Sequence, residues 1–391
     1  MSGPRLLRGG AAAADRWVAD WRQAWHHTEL VLALAATDTA AVTGISAAGA
    51  TAASRLRTAA ADAELLVLGP SARRPHALPP LPAGVSPALI AHVVVAELGI
   101  PPLVVDLGCP LAPAIPHLRL PASADGPARC LSGGNAMHRR RVEALLAAGR
   151  LFGARLGERQ PRRPLLLAEC VPGGTTTALG LLCGLGVEAR GLVSGSLLRP
   201  AHALKSDLVE RGLAAAGLAR AADPLAVVAA VGDPMQPFAA GLALAAAAAG
   251  LPLLLAGGSQ MAAVLALALA LAPPDLRPRL AGRCALGTTA WLADERHGGD
   301  LGRLLDRVGA RWRVDPLAFA ASLRFTGAAS PALADYERGF VKEGVGAGGL
   351  ALLWQLSGRR SADLAAACDR ACALLRPGHA GDRRPAPAVH G

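Results

Sequence analysis

Aromatic side chains are scarce in this chain, at 3% of its residues: five Phe, six Trp and one Tyr. A core with so few rings has to be packed from Ala, Leu and Val, and a ligand pocket walled by several aromatics is not expected. Lysine is scarcer still: of 40 Lys and Arg residues only Lys205 and Lys342 are lysine, so arginine carries almost all of the +11 formal charge. The arginines are scattered, without the patterning of RNA-recognition, zinc-finger or helix-turn-helix modules, so no nucleic-acid partner is expected and anionic small molecules are. Seven cysteines, at 109, 130, 170, 183, 284, 368 and 372, include no CxxC pair, and the ten histidines form no HxxxH or HxH set. Neither a zinc site nor a disulfide framework is expected, and reduced thiols point to the cytoplasm. No apolar run follows Arg5 and Arg8, so a secretory leader is not expected.

Uninterrupted hydrophobic spans are also missing. An apolar content of 52% and a mean hydropathy of +0.35 raise the possibility of a permease, and residues 239–272 carry no charge. Gly250 and Pro252, then Gly257 to Gln260, cut that stretch into pieces too short to cross hydrocarbon, so no membrane partner is expected. Instead, short apolar runs at 30–36, 64–68, 102–106, 164–169, 226–231 and 252–256 read as strands separated by helical segments. This alternation predicts a doubly wound α/β fold with a mostly parallel sheet. The expected organisation is an N-terminal helical segment over 1–29, an α/β domain over 30–358, and a C-terminal helix and disordered tail over 359–391.

In such a sheet, ligands bind beyond the carboxyl ends of the strands. LLLAECVPGGTTTALGLLCGLG, residues 165–186, reads as a strand ending near Glu169, a turn through Pro172, Gly173 and Gly174, and a helix whose first turn carries Thr175, Thr176 and Thr177. Free N–H groups and a helix dipole aimed at one point make a phosphate cradle. GK[ST] and GxGxxG are absent, so it is neither a P-loop nor a dinucleotide fingerprint. FVKEGVGAGG, residues 340–349, sets Glu343 between Lys342 and glycines at 344, 346, 348 and 349. It reads either as a helix end with a Gly-rich turn or as a carboxylate poised to take a proton beside a bound anion. Gly232 with Asp233, and Gly257 to Gln260 with Gly257 and Gly258 as its turn, sit at two further expected strand ends. Lys205 follows a loop with Ser194, Ser196 and His202, and could neutralise a phosphate or be a solvated lysine at a helix start. Asp62 and Glu64 could orient a ribose or a base, but an exposed start of a strand is the simpler reading. Trp17, Trp21 and Trp25 share one helical face, a packing or subunit-contact pattern.

Four blocks in order, AECVPGGTTTALGLL, VGDPMQPFAAGLALA, LLLAGGSQM and YERGFVKEGVGAGG, resemble those of the nicotinate-nucleotide:dimethylbenzimidazole phosphoribosyltransferases, in the divergent branch of cyanobacteria and archaea. Similarity runs from about Ala40 to Gly349. The better-studied branch has a GEMGIGNTT-type segment where this chain has AECVPGGTTT, and a GEGTGA-type segment where it has KEGVGAGG. The resemblance implies a Rossmann-like domain with a smaller helical part from the chain ends, a homodimer, and no cofactor or metal. It implies Glu343 as catalytic base, Glu169 as a second catalytic carboxylate, Lys205 as a phosphate contact, and further substrate contacts from the glycines and threonines above, Asp233, Lys342 and Ser86. The implied reaction moves the 5-phosphoribosyl group of nicotinate mononucleotide to 5,6-dimethylbenzimidazole or a related base, giving α-ribazole 5′-phosphate and nicotinate in cobalamin biosynthesis. A different acceptor such as adenine, or a non-catalytic nucleotide-binding regulator, is the alternative.

With so few aromatics, the base must be gripped by aliphatic walls, and Ser86 to Val94 is the expected segment. Such walls discriminate weakly, since one methyl group is worth roughly 1–3 kcal/mol. In a three-way competition at equal concentrations 5,6-dimethylbenzimidazole is expected to be preferred and benzimidazole accepted at reduced efficiency, with adenine the runner-up because its polar edge would need partners that this segment does not obviously offer. Predominance of the adenine riboside phosphate would overturn that order.

Overall fold

The computed structural model describes residues 3–159, 163–295 and 298–375. The tail expected after Leu375 and the middle of the charged spacer before the 165–170 strand lie outside them. Among the described residues eight strands form one sheet: β1 (Arg5–Arg8), β2 (Glu29–Leu34), β3 (Pro102–Asp106), β4 (Leu118–Arg119), β5 (Leu165–Cys170), β6 (Leu253–Ala256), β7 (Cys284–Thr288) and β8 (Leu317–Ala320). Their order is β1-β8-β7-β6-β5-β2-β3-β4. All neighbours are parallel except β1, which runs antiparallel along β8. Chain order therefore reverses direction between β2 and β5, the switch point at which a doubly wound sheet opens a crevice.

Successive strand residues feed opposite cores, as the pleat requires. Leu165 and Leu167 enter one apolar cluster, and Leu166 and Ala168 the other. The first cluster is roofed by helices that include Arg139–Arg159, Gly174–Gly184, Met235–Ala249 and Ser259–Leu271. The second is covered by Thr58–Leu68, Ala88–Leu98 and Ala347–Leu356, together with helices from both chain ends, Ala11–Ala24 and Ser361–Ala373. Trp17 and Trp21 are spent inside that layer: Trp17 stacks on Trp21 at 5.1 Å and on Phe319 of β8 at 5.0 Å.

Two expected strands are helical. Residues 64–68 finish the helix Thr58–Leu68, which ends on Gly69 at φ 85°. Residues 226–231 lie in Pro224–Val231, where the Asp223 side chain accepts the Ala226 N–H and proline occupies the first turn. That cap outweighs the β-branched pair Val227 and Val228. β7 (CALGT), β8 (LAFA) and, within the segment read as helical, the edge strand β1 (RLLR) were not expected as strands, because four or five residues are too few to carry a periodic signal.

Small residues set the interhelical spacing. Gly149, Gly153 and Gly157 form a ridge on Arg139–Arg159 against Met235–Ala249; a Cβ on Gly149 would overlap the Phe238 carbonyl oxygen, and one on Gly153 would lie 2.8 Å from Ala245 Cβ. Gly149→Ala should lower unfolding stability by about 1–3 kcal/mol, the usual cost of overpacking. Denaturant titration checks this, and an unchanged midpoint would contradict so close a backbone approach.

Candidate active site

Past the carboxyl ends of β5, β6 and β7 lies a cavity of about 300 Å³. One wall comes from the step after β5. Glu169 is the last residue but one of the strand, Gly173 turns at φ 79° and the helix Gly174–Gly184 begins, with Thr175 facing the cavity. The loop Ser194–Leu198 and the turn Gly258–Gln260 complete that side. The opposite wall is Leu78 to Pro87 packed on the turn Phe340–Val345, close enough that a Cβ on Gly84 would lie 2.7 Å from Val341 Cγ2.

Glu343 stands on that turn, just ahead of the helix Ala347–Leu356. Its Oε2 accepts from the Thr288 hydroxyl and the Thr289 N–H, both at 2.9 Å. Its Oε1 accepts from the N–H groups of Gly344 at 3.1 Å and Gly348 at 3.0 Å. Burial pushes the Glu343 carboxyl up, and these four donors work against the rise. The backbone that holds it is strained. Val341, Lys342 and Val345 sit at φ 65°, 59° and 51°, and the Lys342 and Glu343 N–H groups bond back two residues, at 2.8 and 2.7 Å. Non-glycine residues in this region cost about 1–3 kcal/mol each, and such strain gathers at functional sites.

Glu169 takes one backbone bond, from Val171 N at 3.0 Å. Burial, then the Asp233 and Glu343 carboxylates, raise it to about 8, so it is largely protonated at neutral pH. Asp233 lies behind the wall rather than on it, accepting from Thr177 Oγ1 at 2.5 Å and Gln236 Nε2 at 3.1 Å, and burial raises it to about 6. Lys205 is not solvated: its side chain is buried under the Gly173–Thr175 turn and donates to Thr175 Oγ1 at 3.0 Å and to the Ser194 carbonyl at 2.7 Å. Burial lowers it to about 7. Lys342 is buried too, and donates to Glu295 Oε1 at 2.7 Å and to the Leu197 carbonyl at 2.9 Å.

Of the residues singled out in the sequence, Ser86, Glu169, Gly173, Gly174, Thr175, Gly258, Lys342, Glu343 and Gly344 meet on the cavity. Thr176, Thr177, Gly232, Asp233, Gly257 and Gly346 stand behind it as packing and capping positions; Gly346, at φ 71°, begins the helix after Glu343. From Ser86 to Val94 only Ser86 and Pro87 reach the space, because the helix Ala88–Leu98 turns the rest into the core. Asp62 and Glu64 are on a buried helix, not an exposed start of a strand. Asp62 lines the cavity, takes a 2.6 Å bond from Ser86 Oγ, and is raised to about 6 by burial. The wall is thus not wholly aliphatic. Gln260, at the strand end singled out over Gly257 to Gln260, also lines the cavity, whereas sequence reasoning passed over Thr288, Thr289 and Glu295. The only signal for the threonines was a GTT step behind the short run CAL.

Among the described residues no cluster of His, Cys, Asp or Glu could hold a metal ion, and no helix is long and apolar enough to cross a membrane. All seven cysteines are free thiols.

A family model described as Phosphoribosyltransferase matches residues 87–284. The UPF0284 protein of Prochlorococcus marinus (strain MIT 9313) is 52% identical over 365 residues, spanning 92% of this chain and 89% of its own. The UPF0284 protein of Parasynechococcus marenigrum (strain WH8102) is 55% identical, over 90% and 88%. Among solved structures, CobT from Thermus thermophilus superposes with a TM-score of 0.58 at 20% identity, covering 92% of each chain. A nicotinate-nucleotide-dimethylbenzimidazole phosphoribosyltransferase structure from the same organism gives 0.55 at 20% identity, over 89% of this chain and 86% of that one. These two share its α/β fold.

The Glu169 carboxyl supplies a pH test. A folded-state value near 8 against an ordinary 4.5 means that folding takes up a proton between those limits, so the Glu169 contribution to stability falls as pH rises through that window. Glu169→Gln imitates the protonated form. It should raise Tm relative to wild type by an increment that grows from pH 4.5 to 8 and then levels off. A pH-independent increment in paired thermal melts would contradict the assignment.

Proposed function

The chain belongs to this phosphoribosyltransferase family, alongside the UPF0284 proteins, and we propose that it moves the 5-phosphoribosyl group of nicotinate mononucleotide to a benzimidazole-type base. The observation that carries this reading is the meeting, on one cavity at the sheet's carboxyl edge, of Glu343 with the Gly173–Thr175 helix start above Lys205.

Nicotinate leaves from a cationic pyridinium, so its nitrogen keeps the C1′–N bonding pair and departs as a neutral ring without a proton from the protein. The incoming base supplies a nitrogen lone pair to C1′ from the opposite face, inverting the β-nucleotide to an α-riboside phosphate. Its other ring nitrogen gives up a proton, and Glu343 receives it. A carboxylate raised by burial suits that task better than an ordinary one. The backbone N–H group of Thr175, left free while that of Gly174 donates to the Val171 carbonyl at 2.9 Å, the helix dipole and the protonated Lys205 hold the 5′-phosphate. Glu169, neutral and beside Glu343, can donate to a ribose or phosphate oxygen without adding a second negative charge. Fixing C1′ between leaving group and nucleophile accounts for the rest of the rate.

One observation favours a second acceptor. The buried Asp62–Ser86 pair offers hydrogen-bonding atoms that adenine could use and a dimethylated benzimidazole edge could not; the three-base competition decides between them.

Incubation of the purified protein with nicotinate mononucleotide and a panel of bases should yield nicotinate and α-riboside phosphates in equal amounts. Glu343→Gln should fold and bind nucleotide but lose about 10²- to 10⁴-fold in kcat, the usual contribution of a positioned general base. Near-normal turnover in the folded variant would remove Glu343 from the mechanism.

A further inference from the structure

The chain's second lysine is held by two partners within the protein. The Lys342 and Glu295 side chains are 3% and 5% exposed and paired at 2.7 Å, and the same ammonium reaches the Leu197 carbonyl at 2.9 Å. Glu295 lies on the segment that also holds Glu343. Thr288 Oγ1 and Thr289 N bond the Glu343 carboxylate, and Thr289 Oγ1 donates to the Lys342 carbonyl at 2.5 Å. The helix Ala290–Ala293 then leads to Glu295. Residues 288–295 therefore grip the strained turn at three points: the carboxylate of one residue, and the carbonyl and side chain of the one before it. A turn with three non-glycine residues at positive φ persists only where its surroundings over-determine it.

We propose that Glu295 is a positioning residue, which through its buried pair with Lys342 holds the Val341–Val345 turn and thereby sets the aim of Glu343, while the Leu197 bond ties that turn to the Ser194–Leu198 loop. Lys342 then acts on the turn and not on the nucleotide. The inference rests on the proposed role of Glu343, but its structural half does not depend on the identity of the substrates.

Removing one partner leaves a buried unpaired charge, whereas removing both removes the charge problem. The pair is therefore tested with Glu295→Gln, Lys342→Met and the double variant. Both single variants should lower kcat at least tenfold with KM for nicotinate mononucleotide within about twofold of wild type. The double variant should recover most of the Tm lost by Lys342→Met and yet keep the low kcat, and its loss should be no greater than that of either single variant. Recovery of kcat together with Tm would show the pair to be structural only. A large rise in nucleotide KM for Lys342→Met, with Glu295→Gln at wild-type kcat, would make Lys342 a substrate contact. Both results overturn the proposal. Should Glu295→Gln not fold, Glu295→Asp keeps the charge while shortening the strap, and an unchanged kcat there would be equally contrary.

Hydrogen exchange of the substrate-free protein separates this inference from the functional reading. Loss of the pair should speed exchange across residues 340–349 and 288–290 by at least tenfold, with the sheet core unchanged. If no base on the panel is turned over, the function is wrong while exchange still decides the strap; unchanged exchange in both segments overturns it.

Discussion

The site depends on one close contact between backbone and sheet. The start of the helix Ala347–Leu356 lies directly on the carboxyl ends of β5, β6 and β7, with no side chain of its own at Gly346, Gly348 and Gly349 to hold it off. A Cβ on Gly346 would stand 2.6 Å from Ala168 Cβ, one on Gly349 would overlap Ala256 Cβ, and one on Gly348 would overlap the Thr288–Thr289 peptide. Only glycine permits this approach. It brings Glu343 within reach of Thr288 and Thr289, and its charge near enough to Glu169 to help raise that carboxyl. The chain entering the helix is forced through the left-handed region at Val341, Lys342 and Val345. The strain of that turn and the placement of the carboxylate thus have one origin.

Burial then sets the charge states. Three carboxyls, Glu169, Asp233 and Glu343, share a region poor in water, and each is pushed up. The buried cations around this cavity are the two lysines, Lys342 paired with Glu295 and Lys205 donating to Thr175 and Ser194, in a chain that otherwise uses arginine. The physical difference is that an ammonium titrates when buried and a guanidinium does not. Lys205, lowered to about 7, can lose its proton in the empty site and regain it opposite a phosphate. A planar, permanently charged guanidinium under the Thr175 turn would bring a full charge into that space before any anion arrived.

Much of this was legible in the sequence because it was written in glycine and in scarcity. The turn after β5, the Gly-rich run after Glu343 and the two lysines stood out against an Ala- and Arg-rich background, and the family resemblance rested on those same blocks. The register of what surrounds them did not stand out. Residues 64–68 and 226–231 are apolar and partly β-branched, yet they end helices, since a glycine cap at 69 and an Asp-Pro start at 223–224 decide the local geometry. Asp62 was read with the first of these segments as an exposed start of a strand, and the scarcity of aromatics alone pointed to an aliphatic acceptor wall, so the buried Asp62–Ser86 pair was not foreseen. Thr288, Thr289 and Glu295 were invisible for a different reason: their importance comes from contacts with residues some 50 positions away, and no local pattern encodes them.

The most direct test of the account is the structure of the protein with nicotinate mononucleotide bound. The 5′-phosphate should lie within hydrogen-bonding distance of the Thr175 backbone N–H, with Lys205 behind it, and C1′ should open toward the space between Glu343 and Pro87. A nucleotide whose phosphate lies away from that helix start, or whose C1′ faces a wall without Glu343, would contradict the proposed transfer.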